Sequence, residues 1–98
     1  MSLHTDLQAP LRDRDYLTAA QLVAAYLDPH GLLGAEPSIG LYCAQVDLLF
    51  GDGSALRVAI DARARHRVDV QGRGESLELH LRKLRLALAK SGLGEQGR

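Results

Sequence analysis

The stretch AQVDLLFGDGSALRVAI, residues 44–60, decides the fold. Apolar side chains recur at every second position on both sides of a glycine-rich centre: Ala44, Val46, Leu48 and Phe50 before it, Leu56, Val58 and Ile60 after it. Period two is the mark of half-buried strands. The centre then dictates how the two strands pair. A two-residue Asp-Gly turn would set Phe50 opposite Ala55 and throw the apolar faces out of register. A three-residue loop over Gly51, Asp52 and Gly53 pairs Phe50 with Ser54, Leu48 with Leu56 and Val46 with Val58. Gly53 then takes the left-handed position that such loops need. The same register sets Asp47 beside Arg57 on the other face, a favourable cross-strand pair.

Downstream, Val68 and Val70 continue the inward alternation, so HRVDVQ at 66–71 predicts a third strand. The surrounding segment AIDARARHRVDVQGRGES, residues 59–76, holds four arginines and a histidine. If it stays extended, Arg63, Arg65 and Arg67 point away from the core while Ala62, Ala64 and His66 take the apolar side. One reading is a sheet edge guarded by charge; the other is a contact for phosphate or an acidic partner. Beyond Gly72 and Gly74, ESLELHLRKLRLALAKSG at 75–92 predicts a helix. Leu77, Leu81, Leu84 and Leu88 form its buried stripe, Glu78 and Arg82 an i,i+4 pair, and Gly92 its stop. Glu75 and Lys90 suit the helix dipole. A second pattern is present, with Leu77, Leu79, Leu81 and then Leu84, Leu86, Leu88 alternating as two strands joined at Arg82-Lys83. Leu, Glu, Lys, Arg and Ala favour the helix, and no residue of the segment is β-branched. Helical spacing leaves Leu79 and Leu86 on the face opposite the main stripe.

Upstream, LTAAQL at 17–22 predicts a helix with Thr18 as N-cap, Gln21 completing a capping box and Leu17 with Leu22 as a hydrophobic staple. Leu22, Val23, Tyr26 and Leu27 supply its buried stripe, and Asp28-Pro29 ends it. HGLLGAEPSIG at 30–40, with three glycines and a proline, reads as a connecting loop. Residues 1–15, with Pro10 and the charges RDRD, read as a flexible arm, and 94–98 as a disordered tail. The expected architecture is one α+β two-layer domain over 16–93: helix, three-stranded antiparallel sheet, helix, in the order α-β-β-β-α.

Composition narrows the function classes. Ninety-eight residues with 46% hydrophobic and 24% charged content make one ordinary globular domain. Aromatic residues are only 4%, with no Trp and the single Phe50, which speaks against base-stacking grooves. No apolar run approaches the roughly 20 residues of a membrane span. The opening MSLHTDLQAPLRDRD resembles neither a signal nor a transit peptide. Cys43 has no second cysteine to pair with and reads as a buried structural thiol, which implies a reducing, cytoplasmic setting. The zero net charge is asymmetric: residues 1–49 carry two arginines against six carboxylates, and residues 50–98 carry ten basic residues against six. Such polarity steers a charged partner or favours self-association. His4, His30, His66, His80 and Cys43 have no metal-ligand spacing. No nucleophile elbow or phosphate loop is present.

Two resemblances are local. YLTAAQLVAAYL at 16–27 resembles the first helix of the helix-turn-helix domains of excisionase-type regulators, which continue with a tight turn and a polar recognition helix. This chain continues with DPHGLLGAEPSIG instead. The order α-β-β-β-α, with GRGES at 72–76 entering the last helix, is similar to double-stranded-RNA-binding domains. That family places a Lys-Lys pair and a further Lys there to reach phosphates, whereas this chain has Leu77, Glu78 and Leu81.

Elimination leaves a non-enzymatic binding protein without metal or cofactor. It would act as an accessory, regulatory or inhibitory factor through contacts with another protein, and self-associate as a homodimer through Leu79 and Leu86. The alternative is nucleic-acid or phosphate contact through Arg63, Arg65, Arg67 and Arg73 together with Arg82, Lys83 and Arg85. No membrane partner is expected.

Overall fold

A computed structural model describes residues 2–63 and 67–93. Helices α1 (Leu3–Arg12) and α2 (Tyr16–Leu27) precede four strands, β1 (Gly34–Gly40), β2 (Cys43–Leu49), β3 (Ala55–Asp61) and β4 (Arg67–Arg73), and α3 (Leu77–Ser91) follows. The strands form one antiparallel sheet in the order β1-β2-β3-β4. The architecture is α+β with helices against an antiparallel sheet, as the sequence implies, but it has four strands and an additional helix.

The central hairpin has the expected register. Leu48 pairs with Leu56, Val46 with Val58 and Asp47 with Arg57. The Phe50 N–H donates to the Ser54 carbonyl at 3.0 Å, and Gly53 takes φ +89°. Ala44, Val46, Leu48, Leu56, Val58, Ile60 and Val68 are buried on the helix-covered face. The opposite face, which holds Gln45, Asp47, Arg57, Ala59, Asp69 and Gln71 among others, has no fully buried side chain.

The loop expected at 30–40 is in fact half strand. Ala35, Pro37 and Ile39 pair with Leu48, Val46 and Ala44 and share their face. The bond from Phe50 to Ser54 fixes the ladder's alternation: Ala44, Val46 and Leu48 bond toward β3, so Cys43, Gln45, Asp47 and Leu49 bond toward β1. Pro37 therefore turns its nitrogen to the free edge, where its missing N–H costs no ladder bond. A proline that looks like a loop residue from sequence is here an edge-strand residue that also blocks further strand pairing.

The arm is a helix as well. Ser2 caps α1, its hydroxyl oxygen accepting from the Thr5 N–H at 3.2 Å, and Leu3, Leu7 and Leu11 are all buried. Pro10 sits in the last turn and forfeits only one intrahelical bond. α2 starts two residues before Thr18. Asp15 is its N-cap, accepting from the Thr18 N–H at 3.2 Å and the Thr18 hydroxyl at 2.7 Å. The Thr18–Gln21 capping box is therefore replaced by an aspartate cap. Its buried face is Ala19, Ala20 and Val23, with Leu22, Tyr26 and Leu27 packed at the margin and Leu17 exposed. Asp28 ends the helix as expected, and its Oδ1 accepts from the Leu32 and Leu33 N–H groups at 2.8 and 3.0 Å, tying down the short connection to β1.

α3 is helical throughout. Leu84 and Leu88 are buried and Leu77 and Leu81 half-buried. Gly92 closes it in the left-handed conformation, with the Leu93 N–H bonding the Leu88 carbonyl at 2.9 Å. This C-terminal motif directs Leu93 into the core. The helix lies across the others rather than along one strand. It starts beside Gly72, passes Phe50 at His80, meets α2 at Ala87 and ends beside His4 of α1. The expectations for Ala64, Arg65, His66 and the tail 94–98 lie outside the described residues.

Candidate interaction surface

The sheet spreads the described arginines of the 59–76 segment, Arg63, Arg67 and Arg73, along its length. Arg63 is not on a strand but in the turn after β3, its guanidinium 4.5 Å above the Tyr42 ring and 3.6 Å from Asp61. Arg67 opens β4 between Asp61 at 3.7 Å and Asp69 at 3.4 Å. Arg57 makes a two-pronged pair with Asp47 at 2.7 and 3.2 Å, a hydrogen-bonded contact that raises the arginine pKa further above its ordinary value. Arg73 closes β4 at the far end, roughly 20 Å from Arg67 at strand spacing. Carboxylates thus balance the arginines at the Arg63 end, and the strand residues of the open face include no aromatic ring, the Tyr42 ring in the β1–β2 turn being covered by Arg63. A shallow groove of about 400 Å³ on that face is lined by both signs, Glu36 and Asp47 with Arg57 and Arg73. Arg82, Lys83 and Arg85 are on α3, away from the sheet's outer face. Among the described residues, the basic side chains named by sequence are therefore not one patch.

Cys43 departs from the expectation of a buried thiol. It is half-buried on the open face, with its sulfur 3.7 Å from the Gln45 amide nitrogen. Among the described residues no group of three or more His, Cys, Asp or Glu side chains is placed to hold a metal ion, and no helix is long and apolar enough to cross a membrane.

α3 presents one of the exposed apolar surfaces; Leu32, Ile39 and Leu41, in or beside β1, are exposed as well. Leu79 and Leu86 are 53% and 61% exposed, seven residues apart on the outward stripe of α3. Glu78, Arg82 and Arg85 border them, lining with Leu81 and Leu86 a shallow groove of about 380 Å³. The leucines of α1, the available cover within the chain, are buried in the core.

One feature is invisible to sequence periodicity: an apolar cleft of about 360 Å³ between α2 and α3. Leu27, Leu33, Leu48, Phe50, Leu84 and Ala87 form its walls, and His80 and Lys83 complete its lining. Two tethers hold it. The Tyr26 hydroxyl donates to the Ala87 carbonyl at 2.9 Å, linking the two helices. The Phe50 ring stacks on His80 with centroids 3.6 Å apart and planes within 7°, and the His80 Nε2 lies 3.4 Å from Asp52. Asp52 is itself fixed by the Ser54 hydroxyl and the Ser54 N–H. These bonds hold its carboxyl well below the usual carboxylate range, helped by Ser76 and His80 and opposed by partial burial. The sequence holds one hint of this site, since its sole Phe stands two residues before the turn aspartate.

Comparisons with protein families, with curated proteins and with solved structures find no match for this chain, so its surface chemistry carries the functional reading.

Proposed function

We propose that this chain is a non-enzymatic binding protein, an accessory, regulatory or inhibitory factor acting through protein–protein contacts, and that it self-associates as a homodimer through α3. The observation that supports the reading is the exposure of Leu79 and Leu86 on one stripe while the leucines of α1 are spent in the core. Two copies of α3 laid antiparallel about a two-fold axis between Arg82 and Lys83 set Leu79 of each opposite Leu86 of the other. The same register brings Glu78 of each copy to the flank holding Arg85 of the other, a complementary pair made twice. An isologous contact of this kind is the commonest closed assembly. Burying both leucines on each copy contributes roughly 3–6 kcal/mol per dimer. That gain is comparable with the lower estimates of association cost, so the dimer is concentration-dependent. The single cysteine, with no second thiol in the sequence to pair with, supports a reducing compartment, the cytoplasm, as its setting.

Light scattering tests the reading. The wild type should run as a dimer at high micromolar concentration. Leu79→Ser combined with Leu86→Ser should run as a monomer with unchanged helix content. A wild type that stays monomeric at those concentrations refutes it.

A further inference from the structure

We propose that the cleft between α2 and α3 is a binding site for a free aliphatic carboxylate of medium chain length. Its walls come from three elements that meet only in the folded chain: the end of α2 with Leu33, the end of β2 with Phe50, and the middle of α3. The cleft is preformed. The Phe50 ring is held in its stack on His80, and the Tyr26–Ala87 bond ties α2 to α3 across the gap. An apolar space of this kind gives water few partners, so an aliphatic group gains by entering it.

The charge at the cleft selects the head group. Lys83 lines it, and among the described residues it has no hydrogen-bond or ion-pair partner. One helical turn away on either side stand Leu79, His80, Leu86 and Ala87, none of them anionic. Two carboxylates stand near the cleft, and both are engaged: Asp52 by Ser54 and His80, and Asp28, at the end of α2, by the Leu32 and Leu33 N–H groups. An anion at the cleft therefore meets the Lys83 ammonium, and a cation meets like charge. The cleft volume of about 360 Å³ holds roughly twelve heavy-atom groups, each close to a water molecule's share of liquid volume, the ten carbons and two oxygens of a ten-carbon carboxylate. Decanoate matches that length and charge.

Lys83 stands one turn from both Leu79 and Leu86, so the cleft borders the proposed dimer face, and the Leu79→Ser/Leu86→Ser variant separates binding at the cleft from self-association. Decanoate, decanol and decyltrimethylammonium are titrated below their micellar concentrations into isotopically labelled protein, both wild type and the Leu79→Ser/Leu86→Ser variant. Decanoate should give saturable NMR shifts at Leu48, Phe50 and Leu84 in both proteins, with decyltrimethylammonium giving none. Lys83→Met keeps the aliphatic stem and removes the charge, and it should weaken decanoate about tenfold without moving the thermal melt. Ala87→Phe should fill the cleft and abolish the shifts; should it unfold the chain, Lys83→Met still decides. Equal binding of decanol and decanoate, with no effect of Lys83→Met, would mark a groove for a partner's apolar side chain and overturn the proposal. Shifts that never saturate, or that map elsewhere, overturn it too.

Discussion

Three glycines around the β2–β3 turn separate backbone strain from steric overlap, and replacing each by alanine measures the two in turn. Gly51 and Gly53 flank Asp52, and a Cβ at either position would meet nothing within 4 Å. They differ only in backbone: Gly53 has φ +89°, and Gly51 is not in the positive region. At Gly51 the substitution acts through the unfolded chain, whose freedom alanine reduces, so the effect lies between neutral and about 0.5 kcal/mol stabilising. At Gly53 the same gain opposes roughly 1–2 kcal/mol for holding an L-residue in the left-handed region, leaving about 0.5–1.5 kcal/mol of destabilisation. Valine there should cost more, about 2 kcal/mol, because its branched Cβ resists that conformation further. Gly74 combines both effects. Its φ is +113°, and a Cβ would lie 2.5 Å from the Ser54 Cβ and 2.7 Å from the Ser54 Cα, which as backbone cannot step aside. Strain and overpacking together should cost roughly 2–5 kcal/mol. Urea and thermal melts followed by circular dichroism read the series, each kcal/mol moving the midpoint temperature by about 4–8 °C in a domain of this size. Equal effects at Gly51 and Gly53 would refute the three-residue register. A harmless Gly74→Ala would refute the packing of the β4–α3 connection against Ser54.

Leu7 is fully buried in α1, so Leu7→Ala should cost about 2–5 kcal/mol in the same melts, and a cost under 1 kcal/mol would mean that α1 is no part of the folding unit. Removing the arginines of the 63–67 segment together (Arg63→Ala, Arg65→Ala, Arg67→Ala) should change stability by less than about 1 kcal/mol, because the Arg63 and Arg67 side chains are more than half exposed and Asp61, the less exposed partner, keeps its bond from the backbone N–H of residue 63. The wild type should show no mobility shift with DNA or RNA near physiological salt, and a shift abolished by that triple change would establish nucleic-acid contact instead. Asp52 has a carboxyl pKa depressed below its ordinary value of 3.8 in the fold. Its contribution to stability is therefore complete above that value and lost as pH falls through the lower folded value. Asp52→Asn keeps an acceptor for the Ser54 N–H but not the charge. It should be less stable than the wild type at pH 7, with the gap narrowing below about pH 4; a gap that stays constant with pH would contradict the assigned bonds.

Local pattern alone determined the β2–β3 register, because alternation and a Gly-Asp-Gly turn act within one short hairpin. It determined α3 and its two leucine faces for the same reason, since Leu77, Leu81, Leu84 and Leu88 mark a stripe wherever the helix packs. The α2 stop at Asp28-Pro29 is likewise a property of neighbouring residues. Where sequence reading stopped short, the deciding partner is distant. Leu3, Leu7 and Leu11 stand four apart, but a stripe that crosses Pro10 earns its helix only when the rest of the core receives it. Residues 34–40 have weak strand propensity and become β1 because β2 offers an edge and Pro37 can face away from it. The arginines look like one basic run, yet which of them meets Asp47, Asp61 or Asp69 depends on strand pairing and on the turn that stacks Arg63 over Tyr42. The α2–α3 cleft depends on tertiary structure entirely. Its walls come from residues 27 to 87, and no local periodicity records how far apart two helices stand once a tyrosine hydroxyl and a stacked histidine have set their spacing.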